Sequence, residues 1–264
     1  LQYQTYDVTD LVRAGPNVVG ATLGDGWYRG RLMTPKRRNF YGRDLALLAQ
    51  IVVRYADGRE QVIGTDETWK AATGPIVASD IYDGETYDAR LEKPGWSRVG
   101  YDASGWRGVR AIEHSKQILL APQGPPVRRI QELKPVKVLR TPAGQTVFDL
   151  GQNMVGWVRL KVRGPAGTTV AIRHAEVLDK AGNFYTANYR DAKSTMRYTL
   201  KGTGDETWEP RFSFQGFRYV TLEGYPGEPN ADAVTGVVVH SDMTTTGTFA
   251  TSDSGINHLR HNTA

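Results

Sequence analysis

Four carboxylates crowd one short aromatic stretch, Asp80-Ile-Tyr-Asp83-Gly-Glu85-Thr-Tyr-Asp88. A pair of carboxylic groups flanking a glycosidic bond can protonate the leaving oxygen with one member and activate water or attack with the other. Several on one loop can instead ligate Ca²⁺, but an EF-hand loop closes on a bidentate Glu at a position this stretch does not match. Carboxylates beside Tyr82, Gly84 and Tyr87, with Arg90 at hand, are read as turn-formers and as partners for Arg or a neighbouring unit. His174 and Glu176 stand two apart on a predicted strand and so share a face, the layout of an acid–base pair. His174 is also in register with Val170 and Ile172, which predicts a core histidine bonded to backbone, with Glu176 as a partner. His114, His240, His258 and His261 show no metal-ligand spacing with a third donor. No metal, no cofactor and no catalytic residue is assigned.

The third constellation is Gly24-Asp25-Gly26-Trp27-Tyr28-Arg29-Gly30. It has neither the spacing nor the Lys of a phosphate loop. A flat indole suits the apolar face of a pyranose, and Asp25 and Arg29 beside it can bond hydroxyls. Trp27, Asp25 and Arg29 are therefore the candidate substrate-binding residues. Burial in a core, or against a neighbouring unit, is the alternative for Trp27 as for Tyr28, Trp96 and Trp106. Asp149, Gln152 and Asn153 read as a tight loop around Gly151, bonded either to its own backbone or to a neighbour.

The elements that must position these groups are strands. After Gly156, Val158, Leu160 and Val162 alternate with Arg159, Lys161 and Arg163, the period of a half-buried strand. Gly164-Pro-Ala-Gly167 is a turn, and Val170 and Ile172 continue on the returning strand. Leu45–Tyr55 reads as a strand closed by the hairpin turn Ala56-Asp-Gly58, with Gln61–Ile63 and Thr68–Ala71 returning and Trp69 buried. Met196, Tyr198 and Leu200 mark a one-sided strand, and Val234–His240 a strand in the middle of a sheet. Gly124-Pro-Pro and Pro135 place a boundary near 122–135. A run of N-cap residues, Thr251–Ser254, opens an amphipathic helix through Ile256 and Leu259, about one turn long. The expected fold is all-β: two β-sandwich domains, then the start of a helix.

Composition narrows the function classes. The chain has 264 residues, 39% hydrophobic, with 29 Gly and 13 Pro, which suits many short strands and turns. It has no Cys, so disulfide and thiolate chemistry are excluded. No apolar run reaches the roughly 20 residues of a bilayer span, and the compartment stays open. The net charge of +5 has one cluster, Lys36-Arg37-Arg38 near Arg43, with the remaining Lys and Arg spread over strand faces. Neither a nucleic-acid nor a membrane partner is expected.

Four long stretches carry a resemblance: TYDVTDLVRAGPNVVGATLGDGWYRG (5–30), DETWKAATGPIVASDIYDGETYDAR (66–90), DLGQNMVGWVRLKVRGPAGTTVAIRHAEVL (149–178) and FSFQGFRYVTLEG (212–224). In this order the chain resembles the non-catalytic N-terminal half of bacterial α-L-rhamnosidases, large inverting glycoside hydrolases. The resemblance implies a jelly-roll-like accessory domain at 1–124 with its first strands missing, and a concanavalin-like domain at 125–246. Residues 247–264 then correspond to the start of an (α/α)6 catalytic barrel. An inverting enzyme needs two carboxyl groups about 6.5–9.5 Å apart, and the resemblance puts that pair in the barrel, beyond Ala264. The implied partners are rhamnosides or rhamnose-containing glycans, met through the parent enzyme, and the barrel itself. A stand-alone carbohydrate-binding module is the competing reading, with Trp27 as its platform.

Overall fold

The strand predicted around Val158 extends much further back than the alternation shows. In the computed structural model, which describes residues 1–32 and 37–263, a continuous strand runs from Thr146 to Arg163. Part of the basic loop expected over 31–43, including Lys36, lies outside the described residues. The other strands are β1 (Gln50–Arg54), β2 (Glu60–Gly64), β3 (Lys70–Ala71), β4 (Ile76–Asp80), β5 (Gly84–Asp88), β6 (Arg107–Gly108), β7 (Val127–Leu133) and β8 (Lys137–Arg140). After the long strand, β9, come β10 (Thr169–Ala175), β11 (Val177–Leu178), β12 (Phe184–Tyr185), β13 (Thr195–Thr199), β14 (Asp205–Trp208), β15 (Gln215–Glu223) and β16 (Val234–Ser241). The helices are α1 (Gly26–Arg29) and α2 (Ser254–Thr263). The all-β expectation with a C-terminal helix holds.

One ten-stranded sheet carries the fold, and β9 is its pivot. The first half of β9 pairs with β8 on one side and β15 on the other. Beyond β15 follow β10, β13, β5 and β4. The second half pairs instead with β16, then β7, and on its other side with β14. The changeover falls at Gly156, opposite both Gln215 of β15 and Val238 of β16. A Cβ there would stand 1.9 Å from the Val237 carbonyl oxygen, so only glycine lets the strands approach this closely. The sheet thus curls around a single core built from Phe148, Leu160, Ile172, Met196, Phe217 and Val234. Tyr198 of β13 stacks on Trp208 of β14 at 5.3 Å, joining strands from the two halves.

Asp149, Gln152 and Asn153 do not form a loop outside the strand. They lie in β9, where residues 150–153 bulge opposite the single residue Arg218. Gly151 takes the kink at φ 83°. The Asp149 carboxylate accepts from the Gly151 N–H at 2.8 Å and from the Arg218 guanidinium at 2.7 and 2.9 Å, stapling the bulge shut. The bonds from Arg218 hold the Asp149 carboxyl below its ordinary range.

Other expectations are corrected by what each segment can pair with. The strand expected from Leu45 begins only at Gln50, because its partner runs out at Gly64. Trp69 is half-buried, and Thr68 lies outside the two-residue strand β3. The glycine-rich loop contains one helical turn, α1. α2 is longer than the single turn expected, with the Asp253 carboxylate accepting from the Gly255 and Ile256 N–H groups at its start.

His174 is buried against Phe217, and its Nδ1 is 2.9 Å from the Ser194 carbonyl oxygen. Glu176 is not its partner; that carboxylate accepts from Asn188. Burial pushes the His174 pKa down to about 4, against a partial rise from the Ser194 carbonyl. An unfolded His takes up its proton near 6.5 and the folded one only near 4. The stability it withholds is therefore absent at neutral pH and grows as pH falls through that window. By linkage the loss approaches on the order of 3 kcal/mol at pH 4. Urea denaturation at pH 7, 5.5 and 4 should show this slope in the parent chain and a distinctly shallower one in His174→Gln.

Candidate functional site

Before Ala89, the buried side chains among the described residues are polar: Asp25, Arg31, Ser79, Asp80 and Glu85. The apolar side chains of this part stay at the surface, Val52, Val62 and Ile63 of the β1–β2 hairpin among them. β4 and β5 join the large sheet through β13, and Tyr87 packs against the core; the rest of the attachment is made of ion pairs and hydrogen bonds, centred where α1 meets the β4–β5 turn. That meeting is also where Trp27 stands.

Glycines let the α1 segment sit down. A Cβ on Gly24 would lie 2.4 Å from the Phe212 ring, and one on Gly30 would lie 2.4 Å from the Gly26 carbonyl oxygen. Seated there, the Asp25 N–H donates to Ser79 Oγ at 3.0 Å. Both Asp25 carboxylate oxygens are occupied, one by Arg29 Nε at 2.7 Å and the other by Arg38 Nη2. Asp80 accepts the Arg31 N–H at 2.7 Å and the Tyr82 and Asp83 N–H groups at 2.9 and 3.1 Å, with Arg38 Nη1 at 3.2 Å. The Arg31 guanidinium reaches Asp83 at 2.8 Å and the Asp191 side chain, and donates to the Asp191 carbonyl at 3.0 Å. It also lies 5.5 Å from the Tyr82 ring centroid. One arginine thus ties the start of the chain to the β4–β5 turn and to the loop before β13.

The acidic cluster is engaged in contacts of this kind, apart from Glu85 Oε1, which is buried without a partner among the described residues. Asp88 caps the following turn and pairs with Arg90. Glu85 is fully buried, and its Oε2 accepts from the N–H groups of Arg211 and Phe212 at 3.0 and 2.9 Å. Burial raises the Glu85 pKa, and those two N–H groups and the Arg211 charge hold back part of the rise. The four carboxylates are structural, and no two of them face each other across a cleft as acid and base. Among the described residues no group of His, Asp and Glu is placed to hold a metal ion.

Above the ionic cluster the surface is aromatic. Trp27 is 45% exposed and meets Tyr82 edge to face at 5.5 Å between centroids. Arg29 is half-buried beside it, while Asp25 is buried. The three predicted residues are together, but only Trp27 and Arg29 reach solvent. Trp96 and Trp106 stack on each other at 6.3 Å, away from this group. Sequence reasoning missed Arg31 and Arg38: a basic loop signals exposure, and the acids that capture these two lie from 13 residues earlier to 160 residues further on.

Comparison with known proteins places the chain. Residues 1–131 match the α-L-rhamnosidase N-terminal domain, and residues 139–240 match the bacterial α-L-rhamnosidase concanavalin-like domain. The chain belongs to the α-L-rhamnosidase family. An α-L-rhamnosidase of Streptomyces avermitilis is 49% identical over 99% of this chain, and one of Formosa agariphila is 41% identical over 98%. Among solved structures, the native α-L-rhamnosidase of Aspergillus terreus superposes with a TM-score of 0.92 at 45% identity over 99% of the chain. The Streptomyces avermitilis α-L-rhamnosidase complexed with L-rhamnose gives 0.91 at 47% identity, also over 99%. The chain spans 25% and 28% of those curated rhamnosidases and 31% and 25% of the two solved chains, respectively.

The ionic attachment makes a direct prediction. Asp80→Ala removes the acceptor of three backbone N–H groups and one of the two carboxylates on Arg38, and should cost about 3 kcal/mol in urea denaturation. Asp88→Ala, at a half-buried cap, should cost only about 1 kcal/mol.

Proposed function

We propose that this chain is the accessory β-portion of an α-L-rhamnosidase, a hydrolase that releases terminal α-L-rhamnose from glycosides. Its own task in this reading is to brace a helical catalytic barrel and to shape the rim of its pocket. The observation that carries the reading is that nearly the whole chain matches a quarter of much larger rhamnosidases. Two further features support it. The carboxylates between Asp80 and Asp88 accept from backbone N–H groups and arginines, and the α-helices among the described residues are one of four residues and one of ten. Ile256 and Leu259 of α2 are exposed, the apolar stripe of a helix that has yet to meet its partner.

The division into 1–124, 125–246 and 247–264 belongs to the same proposal. It is supported by the Gly124-Pro-Pro segment and by the two family matches. The first two parts would share an edge, since β5 runs parallel to β13. A stand-alone binding module is the weaker reading, because the matches are to portions of larger hydrolases.

Within this reading Trp27 and Arg29 contact sugar at the rim, and Asp25 holds Arg29 and Arg38 in place. The L-rhamnose complex of the Streptomyces avermitilis relative names the sugar to try. The 264-residue chain should leave an aryl α-L-rhamnoside intact, and turnover at the rate of a full-length relative would overturn the proposal. In titration calorimetry with L-rhamnose, saturable heat should be lost in Trp27→Ala and weakened about tenfold in Arg29→Ala. Heat that is unchanged in Trp27→Ala, or no heat at all, would remove Trp27 from the sugar-contact role.

A further inference from the structure

At the opposite end of the β8–β9 and β10–β15 pairs lies a cleft of about 260 Å³, lined by the β8–β9 turn, the end of β15 and the loop that follows it. It shares no residue with the Trp27 group. Its floor includes Leu222 and Tyr225, which also pack against the core. The Tyr225 hydroxyl donates to the Lys161 carbonyl oxygen at 3.2 Å, so the ring is fixed at both ends. Gly224, at φ 72°, draws the loop in: a Cβ there would stand 2.5 Å from the Thr169 carbonyl oxygen.

The walls are polar, and part of their bonding capacity is unused. The Arg140 guanidinium spends one nitrogen, Nη1, on Thr146 at 3.0 Å. Glu223 spends Oε1 on Arg173 at 2.9 Å, leaving Oε2. Among the described residues, the Gln145 amide and the Glu228 carboxylate make no hydrogen bond or ion pair, although both line the cleft. Donors and acceptors are thus mixed around one fixed aromatic ring. The charged lining groups are Arg140, Glu223 and Glu228, and Arg173, outside the lining, pairs with Glu223, so the walls carry no strong net sign. The cleft is slightly smaller than the roughly 300–1,000 Å³ of sites for drug-sized ligands.

We propose that this cleft binds a single neutral monosaccharide unit: a polyhydroxylated ring lies on Tyr225, with hydroxyls donating to Glu228 and Glu223 and accepting from Arg140 and Gln145. Neighbouring hydroxyls are both donors and acceptors, which is what the mixed wall requires. A cation would meet Arg140 and an anion Glu223 and Glu228, while an apolar ligand would leave both walls unsatisfied.

The test is an amide NMR titration of the ¹⁵N-labelled 264-residue chain with L-rhamnose, D-galactose and D-glucuronate, each alone. At least one neutral sugar should give saturable shifts at low-millimolar concentration in residues 140–146 and 221–229, separate from any shifts around Trp27. Gln145→Ala and Glu228→Ala, both on exposed or half-exposed loops, should each weaken that binding about tenfold. Trp27→Ala should leave it unchanged, which separates this site from the rim contact proposed above. Absence of saturable shifts in those segments with either neutral sugar, or a response to glucuronate alone, would overturn the proposal.

Discussion

The structure depends on one strand serving two neighbours in succession. β9 hands its first half to β8 and β15 and its second to β16 and β14, and the exchange takes place at Gly156. No other residue type fits there, because a side chain would meet the Val237 carbonyl oxygen at 1.9 Å. From this pivot the sheet turns its apolar faces onto each other. The bulge at 150–153, locked by Asp149 and Arg218, supplies the kink that precedes it. A single hydrophobic core results, and the earlier part of the chain attaches to its outside.

That attachment follows a different physics. Where the curled sheet is held by burial of Phe148, Phe217 and their neighbours, α1 and the chain around it are seated on β4 and β5 by Arg31, Asp25 and Asp80. Contacts of this kind gain less free energy from area than a core does, but they fix register and orientation, as is common where two units of one chain meet. The consequence for function is positional. The same ion pairs that seat α1 also raise Trp27 above the surface beside Arg29. The result is an exposed aromatic face beside an arginine that Asp25 holds in place.

How much of this was legible in the sequence depends on the range of the interaction. The alternation Val158, Leu160, Val162 revealed the second half of β9, and the inward register of His174 revealed its burial. Both are local patterns with a period of two. The first half of β9 was hidden because Gly151 and Asn153 read as turn residues, whereas here they form a bulge whose closing partner, Arg218, is far along the chain. The four acids near Asp80 were legible as structural groups, though not their partners: Asp80 meets Arg31 and Arg38, and Glu85 meets the backbone of Arg211 and Phe212. The strand expected from Leu45 was overcalled, because apolar character alone does not supply a partner to pair with. The family resemblance rested on long ordered stretches, which is why it survived these local errors.

The central claim is that β9 unites both halves of the sheet in one cooperative unit. Native-state hydrogen exchange measures this directly. The account predicts that the amides of Val147–Asp149 and of Val158–Leu160 open with the same free energy, the highest in the chain, through global unfolding. Two halves that open at clearly different free energies, with one exchanging while the other stays protected, would contradict it.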